Sequence, residues 1–386
     1  MPTDVVIVSG ARTPIATAYK GSLIGLDAFS LGEVAIGEAV KRSGIPADQF
    51  EDMAIGESMQ GGGSIGRNAA VRLGLTNLPS VAMQRWCASG MASVQWIAAN
   101  IAAGMIQVGI GGGTESMSTA PGTSKPGPDG MPAPWMSPAN EETPDAPPFN
   151  TSLTVGDNTA RFAGITREQA DQWAFDSHQA AVRAIDEGRF DAEIVPVDLP
   201  GGGQFTTDEH PRRTSTLEKL ASLPLLNPDD EGAVTTAGNS SGLNDAAAAL
   251  VLCSREYAET HGLPPLAVVR GWASTSFEPA RTGLSPTTAL PAAVAKAGIG
   301  LGDLQAIEIN EAFATVPAAA VKLLDLDRSI VNVNGSGCSL GHPIACTGAR
   351  MILTMAHELI RSDAQWGAVA MCAAGGMGSA TVIERV

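Results

Sequence analysis

Short apolar runs alternate with segments of helical periodicity along the first third of the chain. The runs DVVIVSG and EDMAIGES predict buried strands, and SLGEVAIGEAVKRSG between them predicts a helix. Strands that alternate with helices imply parallel βαβ units. The pattern therefore predicts an α/β protein.

The alternation is interrupted over residues 117–150, which are rich in proline, glycine and serine and have no hydrophobic period. Irregular segments of this length are usually functional or disordered. Next, TREQADQWAFDSHQAAVRAIDEG predicts a helix that begins at Thr166 and stops at Gly188. The βα pattern resumes near Ser241, where we expect a helix over the alanine-rich segment.

Two distant segments resemble each other. Both VGIGGGTESMS (108–118) and VAMCAAGGMGSA (369–380) are apolar runs that meet a glycine cluster, and each follows an alanine-rich helical segment. Duplicated halves around an inserted region would explain the echo, and so would chance. The first segment fails the dinucleotide-binding pattern, because Thr114 occupies the position of its third glycine.

Length and composition narrow the class of protein. A chain of 386 residues exceeds the roughly 250 to 300 at which single cores stop growing, so two domains are expected. The 44 glycines and the alanine-rich runs suggest closely approaching backbones. A formal charge of -16 argues against a nucleic-acid-binding protein, so any anionic ligand must be met by a few local basic residues.

The five cysteines include no CxxC pair, which indicates neither a zinc site nor a disulfide framework. The start, MPTDVVIVSGARTP, lacks the basic and long apolar regions of a signal peptide, and no run of 18 apolar residues follows. We expect reduced thiols, a cytoplasmic location, no metal and no membrane span.

Cys87 lies in QRWCASGMAS, after a predicted strand (SVAM) and at or just before a predicted helix. A helix amino terminus favours negative charge and lowers a thiol pKa, so Cys87 is a candidate nucleophile. The alternative is a buried small hydrophobic residue.

Three further residues are chemical candidates. Asn310 begins NEAFA after an apolar run, His342 lies between Gly341 and Pro343, and Cys372 ends an apolar strand. Each has a structural alternative: Asn310 as a helix cap, His342 as a structural histidine with its hydrogen bonds satisfied, and Cys372 as a buried core thiol. Ser240 in GNSSG matches the nucleophile elbow of α/β-hydrolases, a pattern short enough to occur by chance.

The chain resembles the thiolase family nearly end to end. The resemblance is carried by eight segments that occur in the family's order: VIVSGARTPI, CASG, GGGTESMS, DEHPRRTSTLEKL, AGNSSGLNDAAAA, NEAFA, GHP and MCAAGGMG. The resemblance implies two duplicated βαβαβαββ halves in five layers, α-β-α-β-α, with an inserted loop domain. The expected boundaries are 1–116 and 242–263 for the first half, 117–241 for the insert and 264–386 for the second half. The implied assembly is a dimer or a dimer of dimers.

The resemblance also implies roles for the candidate residues. Cys87 takes the acyl group, His342 activates it, Asn310 holds a water for the oxyanion of the thioester, and Cys372 is the general acid and base. Backbone N–H groups of Cys87 and Ala374 form a second oxyanion hole. The implied reaction is thiolysis of a 3-oxoacyl-CoA, or the reverse condensation, with coenzyme A as a substrate and without a cofactor.

By the same resemblance, Ala237, Ser241, Ala312 and Phe313 contact the substrate, and Arg212, with Arg213 next, contacts the adenosine phosphates. Solvated loop arginines are the alternative for that pair. Two other classes stay open: a serine hydrolase that uses Ser240, and a non-catalytic relative that binds acyl-CoA or sterol.

The chain departs from the family's pattern at three places. Ala374 replaces a glycine in CAAGG, and Cys338 is unexpected before GHP, where a small core residue is the safer interpretation. Thr151 and Ser152 stand where relatives specific for acetoacetyl-CoA have a His-Met pair.

Overall fold

The computed structural model describes residues 4–60, 62–148 and 154–386. Over these residues the strands, in chain order, are β1 (Val5–Arg12), β2 (Ala16–Thr17), β3 (Asp52–Gly56), β4 (Ser80–Met83), β5 (Val108–Ser116), β6 (Ser124–Pro126), β7 (Pro132–Pro134), β8 (Val197–Asp198), β9 (Gln204–Phe205), β10 (Asn244–Ser254), β11 (Ala267–Ser276), β12 (Ala306–Ile309), β13 (Trp366–Ala373) and β14 (Met377–Glu384).

The α-helices over the same residues are α1 (Ala28–Ser43), α2 (Ile65–Arg72), α3 (Ser89–Ala102), α4 (Val155–Ala163), α5 (Arg167–Asp186), α6 (Leu217–Ala221), α7 (Arg255–His261), α8 (Pro286–Ala297), α9 (Thr315–Leu324), α10 (Gly337–Leu340) and α11 (Thr347–Ser362). In the described ranges, no helix is both long and apolar enough to cross a bilayer.

The strand order reveals an internal duplication. In the first half the order is β4-β3-β5-β10-β1, with β4, β3 and β5 parallel and β10 antiparallel to both of its neighbours. The second half repeats this as β12-β13-β14-β11, and Val331 pairs in parallel with Ile307 at the position of β4. A short antiparallel contact between β1 and β11 joins the halves. The sequence echo therefore marks the equivalent strands β5 and β13.

Three apolar clusters separate the layers. Helix α1 packs on the outer face of the first half, α8 packs on the outer face of the second, and α3 and α11 lie between the two halves. The central cluster includes Val94 and Ile97 of α3 with Ile352 and Met355 of α11, all nearly inaccessible to solvent. Burial of each such side chain contributes about 1.5–3 kcal/mol. The expected five layers, α-β-α-β-α, are confirmed.

Glycines allow the amino-terminal ends of the two central helices to touch. A side chain at Gly348 of α11 would overlap Met91 of α3, and one at Gly90 of α3 would overlap the carbonyl of Ala345. The glycine content thus reflects close approach of backbones, as expected. Its consequence is that the residues that precede α3 and α11 lie side by side.

Most of the predicted elements are confirmed. Helix α5 begins with a capping box between Thr166 and Gln169 and ends just before Gly188, which has φ +66°. The helix expected after GNSSG is wrong, because that segment is strand β10, buried along its whole length between β1 and β5. The domain boundaries stay predictions, and Thr151 and Ser152 lie outside the described residues.

Candidate active site

Cys87 lies in a tight turn between β4 and α3. The Ser89 hydroxyl accepts from the Arg85 N–H at 2.9 Å and donates to the Trp86 carbonyl at 2.6 Å. Trp86 has φ +46°, a conformation that costs a bulky residue about 1–3 kcal/mol and is common at functional sites. The turn places the half-buried Cys87 immediately before the first turn of α3.

Two backbone N–H groups converge on the Cys87 thiol, its own and that of Ala374, which follows β13 in the other half. Both lower the thiol pKa, as expected near a helix amino terminus. Burial outweighs them, and together with the nearby carboxylate of Glu115 it raises the pKa to about 11. The expected low pKa of Cys87 is therefore wrong for the site without substrate, and the thiol needs a base to ionise it.

His342 is buried just before α11, and its hydrogen bonds define its protonation. Nδ1 lies 2.7 Å from the Thr347 hydroxyl, whose single hydrogen is donated to the Pro343 carbonyl at 3.0 Å. The Thr347 oxygen must therefore accept from Nδ1–H. Nε2, which has no hydrogen-bond partner among the residues that the structure describes, is left as an acceptor. Burial, with Arg350 nearby, lowers the pKa of His342 to about 3, so the ring is neutral.

The backbone of His342 is fixed by Asn244, the first residue of β10. Asn244 Oδ1 accepts from the His342 N–H at 2.9 Å, and Nδ2 donates to the Ala16 carbonyl at 3.0 Å. Gly341 has φ +104°, and a side chain there would overlap the Asn244 amide. A glycine at position 341 is thus required by this contact between the halves, which uses the backbone N–H of His342.

Asn310 and Glu311 follow β12, and their side chains differ in the hydrogen bonds that they form. Glu311 accepts hydrogen bonds from Trp173 Nε1 and from the Ser177 hydroxyl, at 2.8 and 2.6 Å. Asn310 is fully buried, but neither its Oδ1 nor its Nδ2 has a protein partner in the described ranges. A buried amide without partners is costly and implies a water or ligand as its partner.

Cys372 is the penultimate residue of β13 and is buried. Burial raises its pKa, and the nearby Cys87 raises it further, so the two thiols lie close together. Cys338 is also buried, and its thiol lies 3.5 Å from the Glu311 carbonyl. It has the core environment expected of a structural residue.

The segment that holds Ala237, Ser240 and Ser241 lies against NEAFA. The Ser241 N–H donates to the Ala312 carbonyl at 2.9 Å, and Ser240 forms a bridge with Phe313. Ser241 and Ala312 are half-buried, Ala237 is exposed, and Phe313 is buried. The structure therefore brings Ser241, Ala312 and Phe313 next to Asn310.

Residues 5–256 match the model of the thiolase N-terminal domain, and residues 263–385 match that of the thiolase C-terminal domain. The chain belongs to the thiolase family. It is 37% identical to the 3-ketoacyl-CoA thiolase of Bacillus subtilis, with 99% of each chain covered, and 38% identical to beta-ketothiolase BktB of Cupriavidus necator, with 100% of each covered. The crystal structure of the Bacillus anthracis acetyl-CoA acetyltransferase matches with a TM-score of 0.91 at 36% identity, over 100% of this chain and 99% of that one.

Within this thiolase, Ser240 lacks the geometry of a hydrolase nucleophile. Its hydroxyl donates to the Thr236 carbonyl at 2.7 Å, and the chain continues into strand β10 instead of a helix. A nucleophile elbow requires a strand, a sharp turn and a helix in that order. The serine-hydrolase alternative is not favoured.

The two arginines proposed for the phosphates differ in their availability. Arg213 forms a bidentate ion pair with Asp186, at 2.6 and 2.8 Å. Arg212 is exposed, and its backbone N–H donates to His178 Nδ1 at 3.2 Å. Its guanidinium makes no ion pair with any described residue. Arg212 is therefore the better placed of the two to meet a diffusing anion.

Sequence reasoning missed Asn244 and Thr347, which orient His342, and Glu115, which contacts the same loop. Glu115 left a signal, because a carboxylate in the apolar, glycine-rich strand VGIGGGTES is unusual and needs a partner. Asn244 and Thr347 left none, since asparagine and threonine are common in turns and at helix starts.

Proposed function

We propose that this thiolase family member cleaves 3-oxoacyl-CoA with coenzyme A to acetyl-CoA and a shortened acyl-CoA, or runs the reverse condensation, through an acyl-enzyme on Cys87. The enzyme is an acyltransferase. The observation that carries the mechanism is the convergence of the Ala374 N–H, the Cys87 N–H and Cys372 on the Cys87 thiol.

In the first half-reaction, His342 Nε2 accepts the proton of Cys87, and the sulfur forms a bond to the 3-oxo carbon of the substrate. The oxyanion is bound by the N–H groups of Cys87 and Ala374, a role supported by the hydrogen bonds of both groups to the Cys87 thiol. The bond between C2 and C3 then breaks. Its electron pair forms an enolate of acetyl-CoA, stabilised by the protonated Nε2 of His342 and a water on Asn310.

Cys372 gives its proton to C2 of the enolate, and acetyl-CoA leaves. The resulting Cys372 thiolate takes the proton from the thiol of coenzyme A, whose sulfur attacks the carbonyl of the acyl-enzyme. The bond from that carbon to the Cys87 sulfur then breaks, the shortened acyl-CoA leaves, and the Cys87 thiolate takes back its proton from His342 Nε2. The neutral state of His342 and the high pKa of Cys372 suit these two roles, because one group must accept a proton and the other must donate one. No cofactor is required in this cycle.

Coenzyme A is proposed to enter between the segment around Ser241 and the loop of Arg212, with Ala237, Ala312 and Phe313 beside its pantetheine arm. Arg212 would meet a phosphate by a charge-assisted hydrogen bond, which offsets repulsion from an acidic protein. The acyl chain length accepted by the site is best determined with a thiolysis panel over 3-oxoacyl-CoA lengths that includes acetoacetyl-CoA.

A homo-oligomer is also proposed, at least a dimer. Strand β4 ends the sheet, and on or beside it Val81 and Trp96 are 37% and 44% exposed, close in sequence to Cys87. An unpaired edge with apolar side chains pairs readily with a second copy. Light scattering at several concentrations tests this assembly. The cytoplasmic location stays a prediction.

The decisive experiment is acyl-enzyme trapping with Cys87→Ala. On mixing with 3-oxoacyl-CoA, the wild type should show a burst of acetyl-CoA and an acyl adduct on the Cys87 peptide by mass spectrometry. The variant should show neither and should lose about 10³-fold or more in turnover. Undiminished thiolysis in Cys87→Ala would end the proposal, and a pure acyl-CoA binder would show no burst in either protein.

A further inference from the structure

Glu115 is a fully buried carboxylate beside the proposed site that the reaction cycle above does not use. It is the penultimate residue of β5, in the first half of the molecule. Its position is next to Cys87, whose pKa it raises. A buried charge is expensive unless donors surround it, so its surroundings indicate what it does.

Three hydrogen-bond donors converge on Glu115. Oε1 accepts from the Met59 N–H at 3.1 Å and from Gln60 Nε2 at 2.5 Å, while Oε2 accepts from the Ala345 N–H at 3.0 Å. Only a side chain that accepts at both ends satisfies this set. A glutamine would turn its amide hydrogens towards one of the three donors.

The Ala345 bond is the important one, because Ala345 follows His342 by three residues on the same loop of the second half. The next peptide group is held as well, since the Ala345 carbonyl lies so close to Gly56, Gly90 and Gly113 that a side chain at any of these glycines would press on its oxygen. All four holding residues belong to the first half. The first half thus fixes both the N–H and the carbonyl group of Ala345.

The charge environment agrees with this geometry. Burial and the nearby Glu57 raise the pKa of Glu115 to about 7, while the three donors lower it. The other titratable groups that face Glu115 are the thiols of Cys87 and Cys346, whose pKa values it raises. Glu115 is therefore in electrostatic contact with the nucleophile and in hydrogen-bonding contact with the loop of the base.

We propose that Glu115 is a positioning residue, which holds the loop of His342 against the half of the chain that carries Cys87. It acts on the reaction through Ala345 on one side and Gln60 on the other. This inference rests on the proposed function for its kinetic consequence. Its effect on the reactivity of Cys87 does not depend on that function.

The kinetic test compares Glu115→Gln with Glu57→Gln. Displacement of a catalytic group by about 1 Å costs on the order of 10²-fold, so Glu115→Gln should lower kcat by that amount and leave KM for coenzyme A within about twofold. Glu57 is the matched control, because it is also buried near a strand end but accepts from the Ile65 N–H at the start of α2. Glu57→Gln should keep kcat within about twofold of the wild type.

The second readout is alkylation of Cys87 by iodoacetamide against pH, followed on the Cys87 peptide. Removal of the buried negative charge lowers the pKa of Cys87, so Glu115→Gln should be alkylated about threefold faster between about pH 8 and 10, where Glu115 is ionised in the wild type and the Cys87 thiol is still mostly protonated. Turnover and alkylation thus move in opposite directions. Unfolding would also expose thiols, so the Cys253 peptide of β10, whose thiol is buried, is followed in the same digest and should stay unalkylated in the folded variant. Glu115→Asp keeps the charge and both acceptors on a shorter arm, and should give an intermediate kcat with the wild-type alkylation profile.

Equal losses of kcat in the Glu115→Gln and Glu57→Gln variants would overturn the proposal. So would an unchanged alkylation profile in Glu115→Gln. If the wild type shows no thiolysis, the proposed function fails, while the alkylation comparison still decides the role of Glu115. If Glu115→Gln does not fold, the Glu115→Asp variant decides by kcat: an intermediate kcat supports the proposal, and a kcat equal to that of the wild type overturns it.

Discussion

The equivalent strands β5 and β13 end beside the same thiol with different chemistry. Each carries a buried ionisable residue at its penultimate position, Glu115 on β5 and Cys372 on β13. Burial raises the pKa of both, and both interact with Cys87. Three donors surround Glu115 and fix it, whereas the Cys372 thiol has a hydrogen bond only from its own backbone N–H among the described residues. Equivalent positions of the duplicated scaffold therefore carry a carboxylate that is hydrogen-bonded to a loop and a thiol that we propose for proton transfer.

The same division holds for the loops before the two central helices. The loop before α3 presents the half-buried Cys87 from a turn with Trp86 at positive φ. The loop before α11 presents the buried, neutral His342, whose contacts come from both halves. The proposed nucleophile and the proposed base thus come from corresponding places in the two halves, and the candidate site lies where the halves meet.

Cys372→Ala tests whether Cys372, unlike Glu115, transfers a proton in the reaction. Loss of a general acid and base should lower turnover by about 10²–10⁴-fold, because the enolate then lacks its proton donor. Alkylation of Cys87 should persist, since this substitution leaves the turn of Cys87 intact. Steady-state thiolysis and peptide mass spectrometry measure the two effects.

Cys253→Ala is the matched control, because Cys253 is buried in β10 and takes no part in the site. It should keep turnover within about twofold of the wild type. Turnover in Cys372→Ala equal to that of this control would contradict the role of Cys372.

Thr347→Val tests the orientation of the base. The substitution keeps the shape of the side chain but removes the acceptor of Nδ1–H, so the ring loses its fixed tautomer. One such hydrogen bond contributes about 0.5–1.5 kcal/mol, which corresponds to a loss of up to about 10-fold in kcat. Thr347→Ser keeps the hydroxyl and should behave like the wild type. Identical kcat values for the two variants would show that the ring is oriented otherwise.

Arg212→Ala tests whether Arg212 binds the phosphates of coenzyme A. A charge-assisted hydrogen bond contributes about 1.5–3 kcal/mol, so the KM for coenzyme A should rise about 10-fold or more with kcat little changed. Arg213→Ala is the control, because its guanidinium is already paired with Asp186 and should matter less. A KM unchanged in Arg212→Ala would remove this residue from the binding site.

The pH dependence of Cys87 alkylation tests the protonation states of Cys87, from the first half, and His342, from the second. Burial disfavours the thiolate and raises the pKa of Cys87 to about 11, so without substrate the alkylation rate should still increase between pH 8 and about 10. His342 stays neutral down to about pH 3, so it should add no titration step to this profile between pH 5 and 8. A plateau of alkylation near pH 7 would contradict the buried, protonated state of the thiol.

The sequence predicted the candidate residues better than their physical state. Cys87, His342, Asn310 and Cys372 were identified from short motifs, which survive in the sequence as local patterns. The pKa direction of Cys87 was wrong because its burial depends on contacts from the second half of the chain. Local reasoning found the helix start but could not include that desolvation.

Strand β10 and Glu115 show a second limit. The alanine-rich run of β10 has high helix propensity, yet its place in the middle of the sheet overrides that preference. The bond of Glu115 to Ala345 joins residues 230 positions apart, so no sequence spacing predicts it. In both cases the structure depends on contacts between segments that lie far apart in the sequence, which local patterns do not predict.

Gly113 illustrates a consequence for how this enzyme can diversify. A side chain there would collide with the Ala345 carbonyl, so a change in the first half would displace the base in the second. Such a position is closed to variation, whatever substrate is selected for. Ala374, by contrast, is half-buried and lies outside the positive-φ region. Adaptation to new acyl groups should therefore accumulate at sites such as Ala374, while the glycines around Ala345 stay fixed.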